Sequence, residues 1–177
     1  EKYVLCVGRM DDNVKQFKHA IECYNNSILH SKNIHLVILG QGKLKQSLEA
    51  YTRLSIHSKK IHFMGFVSNP YAYFNKAEFL VVTSKLEGFP MVVIESLACE
   101  TPVVSYDCPT GPREIIQHEK NGLLVKVNDK QMMTDAMNRM VLDNGLYNKL
   151  RANAKNSIAH LSMDKIASEW QSLIEDI

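Results

Sequence analysis

Two carboxylates, Glu87 and Glu95, lie on either side of a turn in the stretch KLEGFPMVVIESLAC. Pro90 suits the first position of a helix and Gly88 permits close approach of the backbone, so the amide N–H groups of residues 89–92 lack helical acceptors and can hold an anion. Phosphates held there would repel a neighbouring carboxylate, whereas sugar hydroxyls on either side of a diphosphate would donate hydrogen bonds to it. The pattern therefore predicts a site for a diphosphate flanked by sugars.

An alternative interpretation leaves both carboxylates in solvent, with Glu87 in an exposed loop and Glu95 on an exposed helix face. Glu95, however, lies within the apolar run MVVIESLAC, where an ionised side chain is costly without a partner. The binding interpretation is therefore favoured.

A second pair of charges flanks the loop that follows the first predicted strand, in VGRMDDNVKQF. Arg9 leaves the strand beside Gly8, and Lys15 follows where a helix is predicted to start. A helix start favours an anion, and Arg grips two oxygens at once while Lys acts as a mobile charge. We predict that the pair binds a diphosphate. The alternative pairs Arg9 with Asp11 or Asp12 and leaves Lys15 in solvent.

Two further loops carry weaker signals. Gly40 and Gly42 in LGQGK follow a predicted strand, as in a nucleotide-binding turn, but the third glycine of the dinucleotide fingerprint is absent and simple chain reversal also explains them. In GFVSNP, a flat base could rest on Phe66 or Val67, although a core position is favoured for Phe66.

The loop DCPTGPREII places Arg113 near the same strand ends. We expect a local ion pair with Glu114 or Glu119. The chain contains no Asp-x-Asp metal motif, and no metal site is predicted.

These loops must be positioned by six short β-rich runs that alternate with helical patterns. Unbroken apolar strands between helices are typical of a parallel sheet covered on both faces, in which ligands bind at the carboxyl ends of the strands. The sequence predicts an α/β fold, a doubly wound, Rossmann-like parallel sheet with helices on both faces and a helical C-terminal tail. The predicted strands are 3–7, 34–39, 61–65, 78–83, 101–106 and 122–127, and the predicted helices are 15–30, 43–58, a short one from Pro70, 90–99, 130–143, 146–160 and 164–175.

The composition fits one domain over residues 1–177. Of these residues 45% are hydrophobic and 23% charged, which allows a sizeable core. The 21 basic and 19 acidic residues are spread along the chain, so no nucleic-acid partner is expected. Apolar runs fall short of the roughly 20 residues of a membrane helix, and four cysteines without CxxC spacing suit a reducing cytoplasm. The first residues are predicted to form a strand and not a signal peptide.

The motifs resemble those of the retaining glycosyltransferases of family 4, and specifically the C-terminal, nucleotide-sugar-binding domain of their two-domain GT-B fold. The likeness runs over about residues 4–145, through VGRM, LGQG, TSKLEGFPMVVIESLACETPVV and NGLLVKVND. Its most specific part is the E-x7-E element formed by Glu87 and Glu95.

This resemblance implies a role for each candidate residue. Arg9 and Lys15 would hold the diphosphate of the donor, Glu95 would bind its ribose, and Glu87 would face the donor sugar in the catalytic centre. The implied backbone contacts are Phe66 and Val67 for the base and Gly88, Phe89, Pro90, Met91 and Val92 for sugar and phosphate.

The sequence departs from the family pattern at two points. Gln16 replaces the glycine that commonly follows the lysine, and Phe89-Pro90 replaces the frequent Phe-Gly pair. The loop PTGPREI is closer to enzymes that use UDP-activated sugars, such as N-acetylhexosamine transferases of bacterial surface glycans. A UDP-hexose or UDP-N-acetylhexosamine donor is therefore expected.

The family's other domain precedes this one and carries the acceptor site. We therefore expect an N-terminal partner domain outside this chain, with residues 146–177 packing toward it, and little transfer by the chain alone. The expected partners are the nucleotide-sugar donor and a glycan or lipid-linked acceptor. No cofactor or metal is expected, and the expected location is the cytoplasm or the inner face of the membrane.

Two other functions compete with this one. A non-catalytic sugar-nucleotide-binding module stays open. A phosphoacceptor signalling domain would share the parallel α/β sheet and use Asp11, Asp12 and Thr83, but strand three ends in MGFV without an Asp and strand five lacks a Lys.

Overall fold

Six parallel strands form a single sheet in the computed structural model, which describes residues 1–175. The strands are β1 (Lys2–Val7), β2 (Ile34–Leu39), β3 (Ile61–Gly65), β4 (Leu80–Val82), β5 (Val103–Tyr106) and β6 (Gly122–Val125). Their order is β3-β2-β1-β4-β5-β6, so the direction of the chain across the sheet reverses between β1 and β4. Such a reversal opens a crevice at the carboxyl ends of the two central strands.

Eight α-helices connect and cover these strands. They are α1 (Phe17–Asn26), α2 (Lys45–Arg53), α3 (Tyr71–Phe74), α4 (Met91–Ala98), α5 (Pro112–Ile115), α6 (Lys130–Leu142), α7 (Asn144–Ser157) and α8 (Met163–Glu175) in the described part of the chain, with 3-10 turns at Leu29–Lys32, Ser58–Lys60 and Ala159–Leu161. The predicted doubly wound sheet with a helical C-terminal tail is confirmed.

Neighbouring residues of each central strand bury their side chains on opposite faces of the sheet. Val4 and Cys6 of β1 pack in one core cluster with α1 and α6, whereas Leu5 packs in the other with α4 and α7. Both faces are therefore dry, which explains why the strands read as continuous apolar runs.

Helix ends differ from the predicted bounds where side chains compete for backbone groups. The helix predicted over 15–30 begins only at Phe17, because Gln16 takes the left-handed conformation, with φ 46°. The helix predicted over 43–58 ends at Arg53, and Ser55 then donates a hydrogen bond to Asn25 Oδ1 and accepts one from the N–H of His57. Short polar side chains offer the backbone such alternatives to a helix.

Candidate functional site

Two adjoining cavities open at the carboxyl ends of the central strands. The larger, about 610 Å³, lies between the loops that follow β1, β2 and β3, and the smaller, about 260 Å³, lies between the loops that follow β1 and β4. Arg9 and Asp11 line both cavities. We call the two together the donor cleft, because most of the predicted site residues lie along it.

Backbone contacts that only glycine permits hold the first two loops together. Gly40 has φ +133°, and a Cβ atom there would lie 1.9 Å from the carbonyl oxygen of Gly8. Gly42 has φ +152°, and a Cβ atom there would lie 2.3 Å from the carbonyl carbon of Met10. The two glycines therefore do more than reverse the chain, since they bring the loops after β1 and β2 into direct contact along the larger cavity.

Phe66 and Val67 line the larger cavity from the loop after β3. Phe66 is 72% exposed, so the core position favoured for it from sequence is wrong. An aromatic residue type alone does not tell a core position from a cavity wall. Val67 is half-buried and packs at the edge of the core.

Lys15 and Glu87 form an ion pair across the smaller cavity. The Lys15 ammonium donates hydrogen bonds to both carboxylate oxygens of Glu87, at 2.6 and 2.8 Å, and Ser84 Oγ donates a third at 2.6 Å. Glu87 is 8% exposed, which excludes the alternative of a solvated loop residue. Lys15 lies just before α1 and does not begin the helix, and its carbonyl accepts a hydrogen bond of 2.9 Å from Thr83 Oγ1.

Arg9 is exposed and lies where the two cavities meet. The suggested ion pair with Asp11 or Asp12 does not form in the described structure. These carboxylates bind backbone instead, since Asp12 accepts from the N–H of Val14 at 2.8 Å and Asp11 from that of Lys43 at 3.4 Å. The Arg9 guanidinium is thus available to an anion in the cleft.

The loop that follows Glu87 presents backbone amides at the start of α4. Pro90 precedes the helix instead of occupying its first position, and the N–H of Met91 donates to the carbonyl of Phe89 at 2.9 Å. Within residues 1–175, the N–H groups of Gly88, Phe89 and Val92 have no protein acceptor. A Cβ atom at Gly88 would meet nothing within 4 Å, so the approach to these amides is open.

A second loop supports this one from below. Thr110 Oγ1 donates a hydrogen bond to the carbonyl of Glu87, and Gly111 packs so closely that a Cβ atom there would lie 2.7 Å from Pro90 Cδ. Sequence reasoning did not single out Thr110, Gly111 or Ser84 as site residues. The available signal was their type, since short polar residues and glycine at strand ends often fix loops.

Glu95 is half-buried on α4, one turn beyond the open amides. Burial raises the pKa of its carboxyl group, and within the described residues it has no hydrogen-bond partner. The structure thus places Arg9, Lys15, Glu87, Gly88 and the pair Phe66 and Val67 along the donor cleft. Phe89, Pro90, Met91, Val92 and Glu95 line neither of its two cavities.

Arg113 pairs with a residue other than those suggested by sequence. Its Nε and Nη2 donate to the two oxygens of Asp107 at 2.9 and 3.0 Å. Glu114 accepts instead from the N–H of Gly111, and Glu119 pairs with Arg139. The expected pair with Glu114 or Glu119 is wrong, because both carboxylates have nearer donors.

Neither a metal cluster nor a membrane helix is found in the part of the chain that the structure describes. Within residues 1–175, His, Cys, Asp and Glu side chains form no group of three placed to hold a metal ion. None of the helices over the same residues is long and apolar enough to cross a membrane.

The fold matches solved glycosyltransferase domains. It superimposes on S. aureus TarM, crystallised with fondaparinux, alpha-GlcNAc-glycerol and UDP, with a TM-score of 0.89 and 24% identity over 98% of this chain and 35% of TarM. It also matches the C-terminal domain of a glycosyl transferase group 1 family protein from Francisella tularensis, with a TM-score of 0.77 and 22% identity over 88% of this chain and 84% of that one. The class defined by the fold is therefore the GT-B glycosyltransferase domain.

The family follows from sequence comparison. The model of the family described as glycosyl transferases group 1 matches residues 1–157, and the chain belongs to this family. A Campylobacter jejuni relative, N-acetylgalactosamine-N,N'-diacetylbacillosaminyl-diphospho-undecaprenol 4-alpha-N-acetylgalactosaminyltransferase, is 36% identical over 96% of this chain. The chain spans 45% of the length of that relative.

Proposed function

We propose that this chain is the donor-binding half of a retaining glycosyltransferase of family 4, with a UDP-hexose or UDP-N-acetylhexosamine as donor. The observation that carries the proposal is the position of Arg9, an exposed and unengaged guanidinium where the two cavities of the donor cleft meet. A guanidinium binds two phosphate oxygens at once, so the diphosphate belongs at this junction. The nucleoside then extends into the larger cavity and the sugar into the smaller.

The proposed contacts follow from this placement. Phe66 and Val67 form the wall on which the base rests, and Lys15 joins Arg9 on the diphosphate. Glu87, next to Lys15 in the smaller cavity, accepts a hydroxyl of the donor sugar.

Residues outside the two cavities complete the proposed donor site. Backbone groups from Gly88 to Val92 contact sugar and phosphate, and Glu95 accepts the ribose hydroxyls from α4. In a retaining transfer the leaving diphosphate gains charge, and Arg9, Lys15 and the open amides stabilise it. This chemistry needs no metal.

The acceptor and the remaining domain belong to the whole enzyme. The relative from C. jejuni carries a diphospho-undecaprenol-linked glycan in its name, and the chain spans less than half of that protein. We propose that an N-terminal domain binds a glycan or lipid-linked acceptor of bacterial surface glycan synthesis, in the cytoplasm or at the inner face of the membrane. The helices from residue 146 onward pack toward that domain.

Calorimetry with UDP tests the donor site. We expect binding that survives EDTA, is weaker for GDP, and falls about 10- to 150-fold in Arg9→Ala, the equivalent of about 1.5–3 kcal/mol for a charge-assisted hydrogen bond. Arg53→Ala is the matched control, because Arg53 is an exposed arginine at the end of α2 and outside the cleft. Equal UDP affinity in Arg9→Ala and the wild type would refute the assignment.

Transfer by the whole enzyme tests the wider proposal. Orienting two reactants is worth effective molarities of roughly 10⁵–10⁸ M, so the chain alone should lose most of the rate while it still binds donor. Turnover of UDP-N-acetylhexosamine with a lipid-linked acceptor is compared between the chain and a version joined to an N-terminal domain. Comparable rates would show that the catalytic apparatus lies wholly in this chain. An absence of transfer in the joined protein would favour the non-catalytic module.

A further inference from the structure

A third cavity lies beside the donor cleft and has no role in the donor site. It measures about 670 Å³ and opens between the loops that follow β4, β5 and β6. Its charged lining residues are Lys85, Asp107, Arg113 and Lys126, and its apolar wall includes Leu86 and Val127. The cavity is therefore both charged and partly greasy, unlike a simple solvent groove.

The charge of this third cavity is positive. Three cations face one carboxylate, and Asp107 is already engaged by Arg113 through two hydrogen bonds of 2.9 and 3.0 Å. Lys85 and Lys126 are exposed and form no ion pair within the described residues. A site with this excess of positive charge suits an anion, and its apolar wall suits a ligand that carries an apolar group as well.

The position of the third cavity relates it to the donor sugar. Leu86 lines both this cavity and the smaller cavity of the donor cleft, where the next residue is Glu87. The three cavities thus follow the order of the strands, from the loops of β3, β2 and β1, through those of β1 and β4, to those of β4, β5 and β6. A ligand in the third cavity would lie beside the sugar end of the donor.

We infer that the third cavity binds the phosphate-bearing part of the acceptor, a phosphate or diphosphate ester with an apolar substituent. The inference rests on the proposed function, which places the donor sugar at Glu87. Lys85 and Lys126 bind the phosphate oxygens, and Leu86 and Val127 contact the apolar part. The site gives the acceptor an anchor on the donor-binding half itself.

Calorimetry on the UDP-saturated chain tests this site, with geranyl diphosphate as the probe. UDP blocks the diphosphate position of the donor cleft, so we expect one further equivalent of geranyl diphosphate to bind. Inorganic diphosphate should bind at least tenfold more weakly, because it cannot use the apolar wall. Equal affinities for the two probes, or no binding of geranyl diphosphate, would overturn the inference.

A pair of variants separates this site from the donor cleft. Lys85→Ala/Lys126→Ala should weaken geranyl diphosphate at least tenfold and leave UDP affinity within twofold. The control is Lys59→Ala, an exposed lysine ahead of β3 at the opposite edge of the sheet. Unchanged geranyl diphosphate affinity in the double variant would overturn the inference.

The two proposals fail in different ways. If UDP does not bind, the donor proposal fails, and the same comparison of wild type with the double variant, now without UDP, still decides the third cavity. If UDP binds and the double variant has no effect on geranyl diphosphate, only the third cavity is refuted.

Discussion

At the level of single residues, the ion pair of Lys15 with Glu87 organises the empty site. A carboxylate as buried as Glu87 is costly without partners, and here the ammonium and Ser84 supply three hydrogen bonds. The same two residues are proposed to contact the donor, so donor binding must exchange this contact for contacts with phosphate and sugar.

Removing one member of the pair tests its structural share. We expect Lys15→Ala to lower the free energy of unfolding by about 1–3 kcal/mol, because it leaves Glu87 buried without its cation. Lys15→Ala/Glu87→Gln should recover most of that loss, since the amide carries no charge. Urea denaturation measures both, and an unrescued double variant would show that Lys15 stabilises through packing.

Glu95 offers a contrast between stability and binding. Burial raises the pKa of its carboxyl group, so the folded state holds the proton more tightly than the unfolded state. Stability from this group is present at low pH and is lost as the pH rises through the folded pKa, which makes the ionised form unfavourable near neutrality.

Glu95→Gln should therefore raise the unfolding temperature at pH 7.5 and lower the affinity for UDP about tenfold. Free diphosphate should bind as before, because only UDP carries ribose. Differential scanning calorimetry and titration calorimetry measure the two effects. Equal losses of affinity for UDP and diphosphate would contradict the ribose role.

At the level of elements, the strained entry into α1 explains a departure from the family pattern. Gln16 has φ 46° and ψ 45°, a conformation that costs a non-glycine residue about 1–2 kcal/mol. Its Oε1 atom is buried without a hydrogen-bond partner, although Nε2 donates to Asn128 at 2.9 Å. Glycine, the common residue of the family here, would meet neither problem.

We expect Gln16→Gly to raise the free energy of unfolding by about 1 kcal/mol, or the unfolding temperature by about 2–4 °C for a chain of this size. Gln16→Ala is the control, since it removes the same polar atoms and keeps the strained backbone. A larger gain from alanine than from glycine would place the cost in the side chain alone.

Sequence reasoning captured the elements better than the contacts between them. The runs at β1, β2 and β3 are continuous and apolar because both faces are buried, and a local pattern suffices to find them. Lys15 and Glu87 are 72 positions apart, so no local pattern shows their pairing. The same holds for Phe66, whose exposure depends on loops distant in the chain.

At the level of the whole molecule, stacked histidines make stability depend on pH. The rings of His30 and His57 stack with centroids 3.6 Å apart, and those of His35 and His62 lie parallel at 5.1 Å. Burial, with added repulsion from the neighbouring histidine and Lys60, lowers the pKa of both His30 and His35. The unfolded state therefore binds more protons below the ordinary value of 6.5.

This contribution to stability is complete above the unfolded pKa and is lost as the pH falls below it. We expect a lower unfolding temperature at pH 5.5 than at pH 7.5, and a smaller difference in His30→Gln/His35→Gln. His160→Gln serves as control, because His160 is exposed and far along the chain. An identical pH profile in the double variant would contradict the assignment.

The last helix contributes little to the core. No residue of α8 is buried, and it exposes Met163, Trp170, Leu173 and Ile174. Deleting residues 163–177 should therefore change the unfolding temperature by less than about 2 °C, and it should reduce self-association at high concentration. Calorimetry and light scattering measure these effects, and a large loss of stability would show that α8 supports the sheet.

The junction of β1 with β4 bears on the motions of the molecule. The two strands are in register only at Leu5 and Leu80, whereas β1 pairs with β2 along its whole length. The sheet is thus two half-sheets joined along a narrow seam, and the donor cleft straddles that seam. Breathing of the halves against each other would separate Lys15 from Glu87, so a ligand that binds both sides should slow amide hydrogen exchange in β1 and β4 more than in β3.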